Sequence, residues 1–237
     1  DPLVTVILSE NNQEEIVADD LDSLLAQTYP HHELVAVDNG SADGSAAILR
    51  RYAGRPNVQL VLHQKNENVT VRLNDAIRRS SGEFISIVYG DDYYLPEKIE
   101  RQVARFATLP RSCGVVYGPG FRENVLTGDR WIESQLALSG AIFKGLLSAT
   151  HTFINPISPL VRRECFERYP FQEALFTEGE GIYIRIALGY QFQYEPEPLV
   201  VMREHRKNIG KAVAKNAEVW LEQLRRVEAQ PDFPRDC

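Results

Sequence analysis

Sulfur is sparse in this chain of 237 residues: Cys113, Cys165 and Cys237 stand far apart and no C-x-x-C occurs. Neither a zinc site nor a disulfide framework is therefore indicated, and a reducing cytoplasm suits the usage. Long apolar runs are missing too. Nothing approaches the ~18 residues of a membrane-spanning helix, and no signal peptide is visible. There is no basic excess: 26 Lys+Arg stand against 33 Asp+Glu, a formal net charge of −7. A non-specific nucleic-acid binder would carry the opposite balance. An anionic small ligand is not excluded, because one metal ion or a pair of arginines inverts a local field. No G-x-G-x-x-G follows a strand-like run, which argues against a dinucleotide-dependent dehydrogenase. Repeats and low-complexity segments are absent. The chain opens with Asp1 rather than Met, which is consistent with a trimmed chain or a piece of a longer one.

What is present is ordinary for a globular protein, with 43% hydrophobic and 25% charged residues. The length suits one large α/β domain or two small ones. Strand-like runs at 3–8, 33–37, 58–62 and 84–89 alternate with helical spacing at 14–26, 45–52 and 69–79. Strands separated by helices of this length predict βαβ units and a parallel sheet. The second half is less regular. Helices are expected at 96–108, 162–168, 180–188 and 210–229, short strands at 114–118 and 199–202, and loops with edge strands over 118–160.

The most informative stretch is Phe84-Ile85-Ser86-Ile87-Val88-Tyr89-Gly90-Asp91-Asp92. A continuous apolar run reads as a strand buried on both faces. Open α/β sheets place their ligand crevice at the carboxyl ends of their strands, so Asp91 and Asp92 fall where a ligand would bind. Adjacent acids repel unless a cation lies between them, and a hard divalent cation with a bound phosphate meets that need. A turn acid followed by a helix-start acid before Leu95-Pro96-Glu97-Lys98 explains the same residues equally well.

Five pieces in order carry a resemblance. They are Val4-Thr5-Val6-Ile7-Leu8; Ser23-Leu24-Leu25-Ala26-Gln27-Thr28-Tyr29-Pro30; Glu33 through Val37 running into Asp38-Asn39-Gly40-Ser41-Ala42-Asp43-Gly44-Ser45; Gly82 through Lys98; and Asn155-Pro156 through Phe166, with Thr177-Glu178 to Ala187 and Pro198 to His205 after it. Together they resemble the family 2 glycosyltransferases of GT-A fold, over residues 3 to 210. The resemblance implies a Rossmann-like, mostly parallel central sheet flanked by helices, with a smaller mixed acceptor-side region. It implies a nucleotide-sugar-binding half at 1–112 and an acceptor-binding half with a C-terminal helix at 113–237, in one continuous domain.

The same resemblance implies roles. Asp91 and Asp92 would stand nearest a divalent metal, Mn²⁺ or Mg²⁺, with His205 as a further ligand. Ser9, Asn11, Asp38, Asn39, Arg72 and Asp91 would line the nucleotide site. Asn39 stands where the family usually has a second Asp, and its carbonyl can still accept a base N–H. Three departures matter. Ser9-Glu10-Asn11-Asn12 offers no ring to stack on a base, Tyr89 stands where an acid is common, and Gly179 occupies the position of the family's catalytic Asp. Glu178 and Glu180 flank that glycine and are the candidate bases, with solvated loop acids as the alternative. Trp131 is expected either to stack on an acceptor sugar or to pack in the core.

The expected activity is metal-dependent, inverting transfer from a UDP- or dTDP-sugar to a hydroxyl of a glycan or lipid-linked acceptor, in bacterial polysaccharide or glycoconjugate synthesis. No nucleic acid is expected as partner, and peripheral membrane contact is left open. The alternative is a degenerate module that binds a nucleotide sugar or glycan without turnover.

Overall fold

The computed structural model describes residues 1–133, 137–148, 154–179, 181–204 and 213–234, the last segment from 221 onward with its side chains. Glu180, His205 and Cys237 lie outside the described residues. The first half runs β1 (Val4–Glu10), α1 (Val17–Leu25), β2 (His32–Asp38), α2 (Ser45–Arg50), β3 (Val58–Leu62), α3 (Val69–Arg79) and β4 (Phe84–Tyr89). It continues through β5 (Asp92–Tyr94), α4 (Lys98–Phe106), β6 (Cys113–Tyr117), β7 (Phe121–Asn124) and β8 (Arg130–Ile132). Beyond these come α5 (Phe143–Ser148), β9 (Leu160–Arg162), α6 (Arg163–Arg168), α7 (Gly181–Ile186), β10 (Gln191–Tyr194), β11 (Val200–Glu204) and α8 (Val213–Glu228).

Seven strands form the main sheet in the order β10-β6-β9-β4-β1-β2-β3. β1 lies inside it, between β4 and β2, and is buried along its whole length. It pairs in parallel with β2, from Val4↔His32 to Glu10↔Asp38, and with β4, from Val4↔Phe84 to Ser9↔Tyr89. Only β9 runs against its neighbours, pairing antiparallel with both β4 and β6. The chain winds outward from β1 to β3 and then returns to the other side of β1 for β4. That reversal is a topological switch point, where a crevice opens at the carboxyl ends of β1 and β4.

The pleat sorts the core into two clusters. Ile7, Val35, Val37, Ile85 and Ile87 face α3 and the acceptor-side helices. Val4, Val6, Leu8, Leu34 and Ala36 face α1 and α2, where Val17, Leu21, Leu24 and Leu49 cover them. A second sheet, in the order β5-β11-β7-β8, stands beside the first. β11 pairs antiparallel with β5 and parallel with β7, so the strand near the chain's end is tied directly to the residues after Asp91.

The fold departs from the sequence expectation in its short pieces. α1 and α4 begin at Val17 and Lys98, later than the 14 and 96 expected. Asp92 opens a strand rather than a helix, which removes the helix-start explanation of the acid pair. β9 and β10 join the main sheet at residues where the sequence marks no strand. Each is only three or four residues long and is held by its neighbours' hydrogen bonds, not by propensity of its own. Trp131 sits on the outer strand β8 at 43% exposure, so it is not a core residue.

Candidate active site

The rim of the switch-point crevice is built by three strand ends. β1 delivers Ser9 and Glu10, β2 delivers Asp38, and β4 delivers Tyr89 just ahead of Gly90 and Asp91. Backbone bonds hold these ends together: Gly90 N–H donates to Ser9 O at 3.0 Å and Asn39 N–H to Glu10 O at 2.9 Å. Gly40 makes the turn after β2 possible. Its φ is +71°, and a Cβ there would come 2.4 Å from the Lys65 carbonyl carbon, so no other residue fits.

Asp91 and Asp92 differ in environment despite being neighbours. Asp91 is partly exposed at the rim. Asp92 is 6% exposed, and its Oδ1 accepts the Arg203 backbone N–H at 3.0 Å, which pins β11. Burial first, and then the Asp91 charge, push the Asp92 carboxyl well above its usual range. A cation at the rim would relieve that repulsion. Such sites take one or two protein carboxylates and fill the remaining positions with phosphate oxygens and water. The residues present fit that pattern, with Asp91 outermost and Asp92 behind it. Among the described residues no cluster of three potential ligands occurs.

Asp38 is 2% exposed, and both its oxygens accept the Ser41 N–H, at 3.2 and 3.4 Å. Its turn role and its place on the rim coincide. The other expected nucleotide contacts carry hydrogen bonds within the protein. Asn39 Oδ1 accepts from Arg72 Nε at 2.9 Å and Glu67 N at 3.1 Å, while its Nδ2 donates to Glu67 O at 2.8 Å and Asn66 Oδ1 at 3.2 Å. The carbonyl expected to accept a base N–H is therefore already filled. Arg72 is also committed: it donates to Lys65 O at 2.8 Å and pairs with Glu67 at 3.2 Å, bracing the loop before α3. Asn11 donates to Asn39 O at 3.0 Å and accepts from Asn12 and Asn66, both at 3.1 Å. An amide ladder thus occupies the place of the missing ring. Ser9 is 6% exposed and lines the strand end mainly through its backbone.

Glu178 is heavily engaged among the expected site residues. It is 3% exposed, and Arg185 grips it through two bonds, Nε to Oε1 at 2.7 Å and Nη2 to Oε2 at 2.9 Å. Gln172 N–H adds a third at 2.9 Å, and the Glu178 carbonyl accepts from Gln223 on α8 at 2.6 Å. With every oxygen engaged, this carboxylate is a structural anchor and not an open proton acceptor. Gly179 beside it has φ +50°, and a Cβ there would meet nothing within 4 Å among the described residues.

Four residues escaped the sequence reading. Glu10 is buried beside Asp38, and Arg185 holds Glu178. Asp20, 0% exposed on α1, pairs with Arg203 of β11, whose guanidinium also lies 4.7 Å from the Tyr93 ring centre. The signal for Asp20 was legible. It shares the i, i+3, i+4 stripe of Val17, Leu21 and Leu24, so an acid on that stripe must be buried and needs a partner.

Fold and rim together define a GT-A-type protein, an α/β sheet with an acidic crevice at its switch point. Known proteins agree. The profile described as glycosyl transferase family 2 matches residues 5–169. The Rickettsia typhi glycosyltransferase RT0329 is 32% identical over 238 residues, covering 96% of this chain and 70% of its own. EpsE of Bacillus subtilis is 32% identical over 105 residues, 44% of this chain but only 38% of its own length. Staphylococcus aureus TarS, solved with UDP-GlcNAc, superposes with a TM-score of 0.75 at 18% identity, covering 96% of this chain and 67% of that one. A Pyrobaculum calidifontis mannosyltransferase, solved with GDP-Man and Mn²⁺, gives 0.69 at 19% identity, covering 98% and 66%. The chain belongs to glycosyltransferase family 2. It spans well under half the length of EpsE and about two thirds of the two solved chains.

Proposed function

We propose that this chain transfers a sugar from a nucleoside-diphosphate donor of UDP or dTDP type to a hydroxyl of a glycan or lipid-linked acceptor, with inversion and with a divalent metal. The carrying observation is the position of Asp91, partly exposed beyond β4 at the switch point, with Asp92 buried behind it. The solved complexes of TarS with UDP-GlcNAc and of the mannosyltransferase with GDP-Man and Mn²⁺ support a nucleotide-sugar donor and a metal. When bound, such a metal offsets the charge that develops on a departing diphosphate. Asp91 would hold it from the protein side. Asp92 fixes β11 through the Arg203 backbone N–H. Asp38 would contact the base. An in-line attack on the anomeric carbon from the face opposite the diphosphate inverts that carbon, and the acceptor hydroxyl must lose its proton to a base. Glu180 is the remaining candidate for that base, since Glu178 is bound by Arg185. The two buried, unpaired cysteines Cys113 and Cys165 support a cytoplasmic setting. No described helix is long and apolar enough to cross a membrane.

A second reading, a binder without turnover, is favoured by Gly179. Replacing it tests both readings at once. Asp tolerates a positive φ, and the space around a Cβ there is open. If the base is lacking, Gly179→Asp should raise transfer by ~10²–10⁴-fold with donor affinity nearly unchanged. If the unmodified chain already turns over and Gly179→Asp adds nothing, the base is in place elsewhere and the binder reading fails.

A further inference from the structure

Glu10 ends β1 on the face shared by Val4, Val6 and Leu8, and it is 3% exposed. The pairing register sets it opposite Asp38, which is 2% exposed. Its Oε1 accepts the Ser41 hydroxyl at 3.3 Å, while its Oε2 is fully buried without a hydrogen-bond partner. Room for the side chain exists because β4 is followed by glycine: a Cβ on Gly90 would come 2.5 Å from the Glu10 Cβ. The charged groups facing Glu10 are both acids, Asp38 at the end of β2 and Asp43 in the loop after it. From the β4 side and the loop before α1 it meets Gly90 and approaches Gln13, which carry no charge. Among the described residues no lysine or arginine forms an ion pair with it.

Two carboxyls in contact away from water, with no cation, cannot both ionise. With no lysine or arginine paired to it, an unpartnered buried oxygen beside a carboxylate is satisfied by a proton between them. We propose that Glu10 and Asp38 share one proton and act as a single carboxyl pair at the base end of the nucleotide site, with Glu10 as a positioning residue that works through Asp38. This rests on the nucleotide-sugar reading above. The Oε2 proton donates to Asp38, removes the orphaned atom, and leaves the pair with one negative charge. Burial, followed by Asp38, pushes Glu10 up to about 9, so the proton is held at neutral pH. The free lone pairs of Asp38 only accept. They match a base that presents a ring N–H, such as uracil or thymine, and leave cytosine's ring nitrogen facing another acceptor. Loss of the proton adds a second charge to the pocket and drives the nucleotide out.

The test titrates UDP with Mg²⁺ present, by calorimetry, from pH 7 to 9.5, in the unmodified chain and in Glu10→Gln. The uracil ring ionises in the same range, but equally for both proteins. The unmodified chain should lose at least about threefold more affinity across that range than Glu10→Gln, the linkage expected for one proton released near pH 9. CDP should bind at least about tenfold more weakly than UDP to the unmodified chain. Parallel pH curves would overturn the shared proton, and equal affinity for CDP would overturn its role in base choice. ¹³C carboxyl spectra of the ligand-free chain read the pair without nucleotide. A resonance absent from Glu10→Gln and titrating above pH 7 supports the pair, and one titrating below pH 5 refutes it. If UDP binds neither protein at any pH while the resonance titrates high, the transferase reading fails and the pair stands.

Discussion

Glu178 and Glu10 are both glutamates at 3% exposure, and they are buried in opposite ways. Glu178 meets a guanidinium in two hydrogen bonds plus a backbone N–H, so its charge is matched where it lies. Glu10 meets Asp38 and, among the described residues, pairs with no lysine or arginine. The first arrangement ties the loop before α7 to α8 through Gln223 and has little reason to respond to a ligand. The second leaves an oxygen unsatisfied at the mouth of the crevice and makes that place sensitive to protons and charge. A buried acid thus marks a structural joint when its partner is arginine, and a functional rim when its partner is another acid.

Removing the match should have the largest effect. Arg185→Leu leaves Glu178 charged and buried, and should cost ~3–5 kcal/mol in denaturant-induced unfolding. Replacing both partners with Met should recover much of that loss. A single variant as stable as the unmodified chain would mean that Glu178 is not held as described. At the opposite site, the pH response carries the contrast. Glu10 has a raised folded-state value, so its contribution is complete below its ordinary pKa near 4.5 and is lost as pH rises through about 9. Stability of the ligand-free chain should therefore fall by ~1–3 kcal/mol between pH 5 and 9. Glu10→Gln should remove part of that slope. Asp20, raised to about 8 by burial in spite of Arg203 beside it, supplies more of the same sign. An unfolding profile that rises over this range would contradict the sign. Asp38→Ala should weaken nucleoside affinity by ~1–3 kcal/mol, the range for leaving a buried polar partner unmatched. Unchanged affinity would place the base elsewhere.

The first half of the fold was legible because its elements are long and periodic. β3, α3 and β4 lie at the residues their apolar patterns predict. The switch point follows from their order, and with it the place of Asp38 and Asp91. The second half was harder to read because tertiary pairing makes its strands. Gln191-Phe192-Gln193-Tyr194 becomes β10 only because β6 offers an open edge. The site was legible in its rim positions but not in its side-chain commitments. Nothing in the spacing of Glu178 and Arg185 shows that they meet, nor that Asn39 accepts a hydrogen bond from Arg72. Glu10 could have been read from alternation alone, since it continues the buried face of positions 4, 6 and 8.

The most direct measurement is the metal dependence of nucleotide binding at the Asp91 rim. UDP titrated calorimetrically into the unmodified chain should bind with Mn²⁺ and weaken by at least about tenfold without it, because a carboxylate-lined rim repels a bare diphosphate. In Asp91→Asn that dependence should disappear, while thermal stability without ligand stays close to the original. If Asp91→Asn binds UDP with the same Mn²⁺ dependence as the unmodified chain, Asp91 does not hold the metal and the proposed site is wrong.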